Sequence, residues 1–331
     1  MASANPEQPE EINIQQRKNS RGKDENFITG QHVSLERLRE QMQILIPYDP
    51  MMKYLVKKIP PYPTPVVFGV SDVAHVTDQT GFRGIMESEQ FRPPYSEFSW
   101  WDLKIKKEEI RAAETFYMET SFLKQALELK EQKPFLEKFT TSPLFKLKKS
   151  RYGNYRFTFP LTDLMQWYKD QNCGGEEPVL RVYETNTYKQ TIVYTVLIHS
   201  PEDNEHFGEY SLLKASECAC YYNGKIIWKA QAICGTHGYQ VVSGEVQDLK
   251  PYEFYVWDQV SLVFHLPKAK ALKIHTEQLI EALEACELEI DLSRNKSPKN
   301  KEERYMEAKE EVSELKRELN KMEKEEKDEN Q

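Results

Sequence analysis

Apolar residues in the middle of the chain fall into short runs and alternations, while towards both ends they recur at helical spacing. Val66-Val67-Phe68-Gly69-Val70 reads as a buried strand, and Val73 to Val76 continues or repeats it. Asp78 or Thr80 then caps a short helix that carries Phe82, Ile85 and Met86 on one face. Glu108 to Lys130, rich in Ala, Glu, Leu and Lys, reads as a longer helix. Further strands are expected at Tyr155 to Phe159, Leu180 to Tyr183, Thr191 to His199, Lys225 to Trp228, Tyr239 to Val242 and Phe254 to Leu266. A capped helix, Thr162 to Tyr168, separates two of them. Short strands outnumber helices and do not alternate regularly with them. That favours an α+β fold with a largely antiparallel or split sheet over a doubly wound one.

The flanks differ in kind. Met1 to Asn26 is polar and lacks aromatics, a composition that predicts disorder over residues 1–30. Leu35, Leu38, Met42 and Leu45 follow Ser34 at helical spacing, so an amphipathic helix is expected. The run Ile59-Pro60-Pro61-Tyr62-Pro63-Thr64-Pro65 that follows cannot be helical, because proline lacks an amide proton and restricts its predecessor. Residues 31–65 are thus a helix and a Pro-rich lead-in to a domain at 66–267. In a helical tail, 268–331, Leu272, Thr276, Leu279, Leu283, Cys286 and Ile290 alternate four and three apart. Tyr305, Ala308, Val312, Leu315, Leu319 and Met322 alternate three and four. Both are heptad seams, out of phase and separated by Ser293 to Asn300 with Pro298. They point to a protein partner or to self-association through 269–327, although a helix packed on the domain explains the first seam equally well.

Composition narrows the classes. The 331 residues allow one large domain or two modest ones, and the net charge of −8 argues against broad nonspecific nucleic-acid binding, so no nucleic-acid partner is indicated. No apolar run approaches the ~18–20 residues that span a bilayer, and no membrane association is expected. The polar, acidic start is unlike a signal peptide, and neither end shows a lipidation signal. Five cysteines without framework spacing suit a reducing cytoplasm or nucleus. Cys218, Cys220, Cys234 and His237 have the ligand types of a zinc box. Their C-x-C opening and shared strand face fit two buried thiols better, so no metal is assigned.

No phosphate loop, dinucleotide fingerprint, nucleophile elbow or zinc-protease helix is present. Three segments are more suggestive. Ala74-His75-Val76-Thr77 follows a strand and precedes a capped helix. Arg151-Tyr152-Gly153-Asn154-Tyr155-Arg156-Phe157 is a glycine turn entering an aromatic strand. Glu253-Phe254-Tyr255-Val256-Trp257-Asp258 opens a hydrophobic strand with an acid set among aromatics, where burial perturbs ionisation.

Together these segments resemble the poly(ADP-ribose) polymerase family over roughly residues 66–267. The Glu253 segment is similar to that family's last core strand. His75-Val76-Thr77 is similar to an earlier strand of that family that carries a His, with Val76 in the place of a glycine. Gly153-Asn154-Tyr155, followed by a helix, is similar to its middle strand, with Arg156 where an aromatic is usual. The middle segment also resembles the pseudo-enzyme form of this fold in the TASOR transcriptional repressor and its relatives. The gap between His75 and Tyr155 is longer than usual and implies an insertion around 93–150, which holds Phe98-Ser99-Trp100-Trp101.

The resemblance implies an ADP-ribosyltransferase-like split sheet with NAD lying across it as substrate. His75 and Thr77 would bind the nicotinamide-side ribose, and Tyr155 would stack on the nicotinamide. Glu253 would bind the ribose 2′-hydroxyl and offset the positive charge that develops at the anomeric carbon. Glu253, His75 and Tyr155 are then the catalytic candidates, with ADP-ribose passing to a protein acceptor. The alternative is a non-catalytic intracellular scaffold that has lost transfer and associates through its C-terminal coiled coil.

Overall fold

The computed structural model describes residues 12–19, 22–45, 66–93, 96–121, 143–145, 148–188, 191–231, 237–242, 245–251, 257–267, 269–289 and 297–329. A hairpin of β1 (Gln15–Lys18) and β2 (Asp24–Thr29) precedes helix α1 (Leu35–Leu45). Strands β3 (Val66–Val70) and β4 (Asp72–Thr77) lead into α2 (Gln79–Ser88), then β5 (Gln90–Phe91), β6 (Phe98–Lys104) and α3 (Lys107–Ser121). Next come β7 (Lys149–Ser150), β8 (Tyr155–Pro160), α4 (Leu161–Asn172), β9 (Val179–Tyr188) and β10 (Thr191–His199). They are followed by β11 (Ala219–Tyr222), β12 (Lys225–Ala230), β13 (His237–Val242), β14 (Glu245–Pro251) and β15 (Trp257–His265). The chain closes with β16 (Leu272–Lys273), α5 (Thr276–Ala282), β17 (Leu283–Ala285), β18 (Glu287–Leu288) and the long α6 (Lys301–Glu329).

Nine strands form one sheet in the order β1-β2-β9-β10-β15-β6-β4-β8-β17, with β10 and β15 parallel and the other neighbours antiparallel. Three more form a second sheet, β11-β12-β3. The fold is α+β with a large mixed sheet and a long C-terminal helix. Ser71 joins the two sheets: its amide and hydroxyl both donate to Glu109 Oε1, each at 2.9 Å, which anchors the joint to α3. One face of the large sheet carries Trp101, Phe157, Phe159 and Phe264, and Phe91 of β5 packs on it; all five are nearly inaccessible and linked by ring contacts. Each such ring removed from water contributes on the order of 1.5–3 kcal/mol.

Several expectations match. Asp78 caps α2, accepting from the Gly81 amide at 2.9 Å, and Phe82 and Ile85 are buried. Ser34 caps α1 through its side chain to Arg37, and Leu35 and Leu38 are buried. The Pro-rich lead-in lies outside the described residues.

Three expectations are corrected. Residues 15–29, expected to be disordered, form the β1–β2 hairpin on the sheet edge. These polar strands are held by the β2–β9 backbone ladder together with a two-pronged contact of Arg17 with Glu184 on β9 at 2.8 and 2.6 Å, and Ile28 supplies an apolar anchor. The stretch expected as an insertion around 93–150 supplies an inner strand of the large sheet, since β6 lies between β15 and β4. Its alternation of buried Ser99, Trp101 and Leu103 is a period-two signal. The first tail seam does not continue as a helix. After Ala282 the chain turns extended, and β17 pairs with β8 (Leu283 with Phe157), satisfying an otherwise open strand edge while Leu279, Leu283 and Cys286 enter the core. The residues after 267 therefore complete the domain rather than leave it.

The second seam is helical, as its spacing predicts, but its apolar side meets this chain's own domain. Ala308 and Val312 are buried and Leu315 packs on the core, while Met306 and Met322 stand exposed.

Candidate functional site

Strands β4 and β8 pair so that Thr77 faces Tyr155 and His75 faces Phe157. Directly opposed residues on an antiparallel pair share a face, so His75, Thr77 and Tyr155 all project from the same side of the sheet. The structure thus brings three of the four candidate residues together. The fourth, Glu253, lies outside the described residues. Register places Ser261 level with Ala74 through Asp102, so β15 begins at Trp257 roughly 13 Å down the sheet, at the end away from Thr77.

The local backbone is built around close approaches. Gly153, in the turn before β8, lies against the end of β4: a Cβ there would fall 1.8 Å from the Thr77 carbonyl oxygen. Thr77 turns its hydroxyl towards the first turn of α2, where a Cβ on Gly81 would sit 1.9 Å from Oγ1. Asn154 donates its side-chain amide to the Cys286 carbonyl at 2.9 Å, tying the turn to the chain after β17.

His75 is part-buried. Its Nδ1–H donates to the Trp100 carbonyl at 2.9 Å, leaving Nε2 as the acceptor, and the ring lies against Phe91 and Trp101. Burial pulls its pKa below the ordinary histidine value, only partly opposed by the Trp100 bond, so the imidazole is neutral at pH 7.

Tyr155 is 2% exposed. Phe82 of α2 stacks on its ring, with centroids 4.1 Å apart and planes 6° apart. Its hydroxyl donates to Glu311 of α6 at 2.5 Å. Burial raises the phenol's pKa well above the ordinary tyrosine value, and the Glu311 carboxylate adds to the shift. As placed, Tyr155 has no open face on which a nicotinamide ring could stack, and its polar tip is occupied. The residues present do not fit the cofactor in the way the resemblance implies.

A cavity of about 220 Å³ adjoins Tyr155. On the domain side it is lined by Asp78, Gln79, Thr80, Asn154 and Tyr155, and on the tail side by Ser297, Lys299, Arg304 and Glu307. Lys299 and Glu307 form an ion pair across 2.5 Å on that tail side. The roof of the site is therefore a segment that no local sequence pattern places there. Phe82 was readable as an apolar-face residue, but nothing in the sequence connects Glu311 to Tyr155.

No protein-family model, curated protein or solved structure matches the chain. Among the described residues, no three His, Cys, Asp or Glu side chains converge as a metal-ligand set. Of the thiols considered above, Cys218 is buried and Cys220 partly so, while Cys234 lies outside the described residues. No described helix is long and apolar enough to cross a membrane.

Proposed function

We propose that this chain is an ADP-ribosyltransferase-like module that has lost NAD turnover and acts as a non-catalytic interaction scaffold in the cytoplasm or nucleus. The order of the His75, Tyr155 and Glu253 segments supports the fold assignment. The observation that carries the loss of turnover is the state of Tyr155, stacked under Phe82 and closed by Glu311. A nicotinamide ring would have to displace an aromatic stack worth ~0.5–1.5 kcal/mol and a charge-assisted hydrogen bond worth ~1.5–3 kcal/mol before gaining contacts of its own. His75 adds to this, because its Nδ1 proton is already committed to the Trp100 carbonyl. Partners, whether another protein or a second copy, engage the exposed positions of α6, among them Met306 and Met322.

The test is thermal unfolding of the full chain with and without millimolar NAD, alongside incubation with labelled NAD and cell extract. A ligand at a hundredfold excess over its dissociation constant stabilises by ~2.7 kcal/mol, which a melting curve resolves easily. The expected result is no shift and no label. A clear upward shift, or label that disappears in Glu253→Gln, would overturn the reading and favour an active transferase.

A further inference from the structure

The joint between the domain and α6 carries a second kind of chemistry, independent of the NAD question. Ser297 is followed by Pro298, and residues 297–300 are all exposed. The residue before a proline is biased towards extended backbone, the form in which a hydroxyl is presented to a kinase cleft. Ser297 also lines the cavity beside Tyr155, together with Lys299 and Arg304. A group attached to its Oγ would therefore enter a space of about 220 Å³ that already holds two cationic side chains.

We infer that Ser297 is a phosphorylation site for a proline-directed Ser/Thr kinase, and that its phosphate settles in this cavity and fastens α6 to the domain. In the step, Ser297 Oγ attacks the γ-phosphorus of ATP. The new bond is Oγ–P, the bond broken joins the γ-phosphorus to the β–γ bridging oxygen, ADP leaves, and the hydroxyl proton passes to the kinase's base. The product carries about −1.5 to −2 charge and three acceptor oxygens.

The surroundings set where the phosphate goes. Lys299 is two residues away and is now paired with the single negative charge of Glu307; a phosphate competes for it with nearly twice that charge. Arg304, in the first turns of α6, offers a guanidinium suited to two-pronged contact with phosphate oxygens. The opening residues of α2, Gln79 and Thr80, lie across the cavity and bring the positive end of a ten-residue helix. The opposing carboxylate on that side, Asp78, is engaged by the Gly81 amide.

The test phosphorylates the purified full chain with a proline-directed kinase and ATP, maps the site by mass spectrometry against Ser297→Ala, and titrates the phosphate by phosphorus NMR. A phosphopeptide covering residues 290–303 provides the reference, with a second pKa near ~6. The expected result is one phosphate at Ser297 whose second pKa lies at least ~0.5 below the peptide's, and which returns towards it in Arg304→Gln and Lys299→Gln. Two results would overturn the proposal: no phosphate on Ser297 in the folded chain while the unphosphorylated peptide is a substrate, or a phosphate that titrates as it does in the peptide. Neither depends on whether NAD binds.

Discussion

Gly153 and Thr77 touch backbone to backbone: the turn that launches β8 lies directly on the last carbonyl of β4, with no room for a side-chain carbon between them. That contact fixes how the His75 strand and the Tyr155 strand meet. Gly153→Ala should force the two apart and lower stability by at least about 2 kcal/mol, read from urea unfolding. An alanine variant within about 0.5 kcal/mol of wild type would show that the approach is not needed.

Tyr155 and Glu311 should behave as a coupled pair. Tyr155→Phe and Glu311→Gln should each destabilise by about 1–2 kcal/mol, and the double variant by clearly less than their sum. Additive losses would mean that the hydrogen bond between β8 and α6 contributes nothing in solution.

His32 predicts an acid limb. It is 5% exposed, donates Nε2–H to the Thr195 carbonyl and accepts at Nδ1 from Ser216, whose oxygen already receives the Cys218 and Ala219 amides. Burial pulls its pKa to about 4 from 6.5. The unfolded chain therefore binds a proton first as pH falls, and stability present above pH 6.5 is lost progressively down to about 4. At pH 5 the loss from this group alone is about 2 kcal/mol. His75 and His199, both shifted downwards by burial, act in the same direction. The urea midpoint should fall from pH 7 to pH 5, and fall less in His32→Asn; equal slopes would exclude His32 as a cause.

The tail helix is part of the fold, so its buried and exposed positions should respond differently. Val312→Asp places a charge in the core face and should cost about 2–4 kcal/mol. Met322→Asp, on an exposed position, should stay within about 0.5 kcal/mol while weakening any self-association seen by light scattering. If Val312→Asp left stability unchanged, α6 would not be docked as described.

What the sequence revealed and what it hid follow from the kind of force at each place. Asp78 with Phe82 and Ile85, and the unbroken run Thr191 to His199, were legible because capping and burial are local patterns. The β1–β2 hairpin was not, because Arg17 finds Glu184 across 167 residues and the strand between shows no apolar alternation. Leu279, Leu283 and Cys286 share one spacing, yet the chain between them changes from helix to strand. The unpaired edge of β8, not the local propensity, decides that change. At the candidate site, His75, Thr77 and Tyr155 were found from their strand contexts, whereas the covering of Tyr155 by Glu311 depends on a contact 156 residues away.

The pairing of β17 with β8 also sets a schedule for synthesis. Phe157 leaves the ribosome 126 residues before its partner Leu283, so at ~5–20 residues per second the edge of β8 waits roughly 6–25 s for its last strand. During that interval an aromatic strand edge stands open in the nascent chain, and the Tyr155 hydroxyl still lacks the Glu311 carboxylate that α6 will bring. The sheet is finished from its C-terminal end, and premature termination after β8 but before β17 leaves that strand edge free to pair with another molecule.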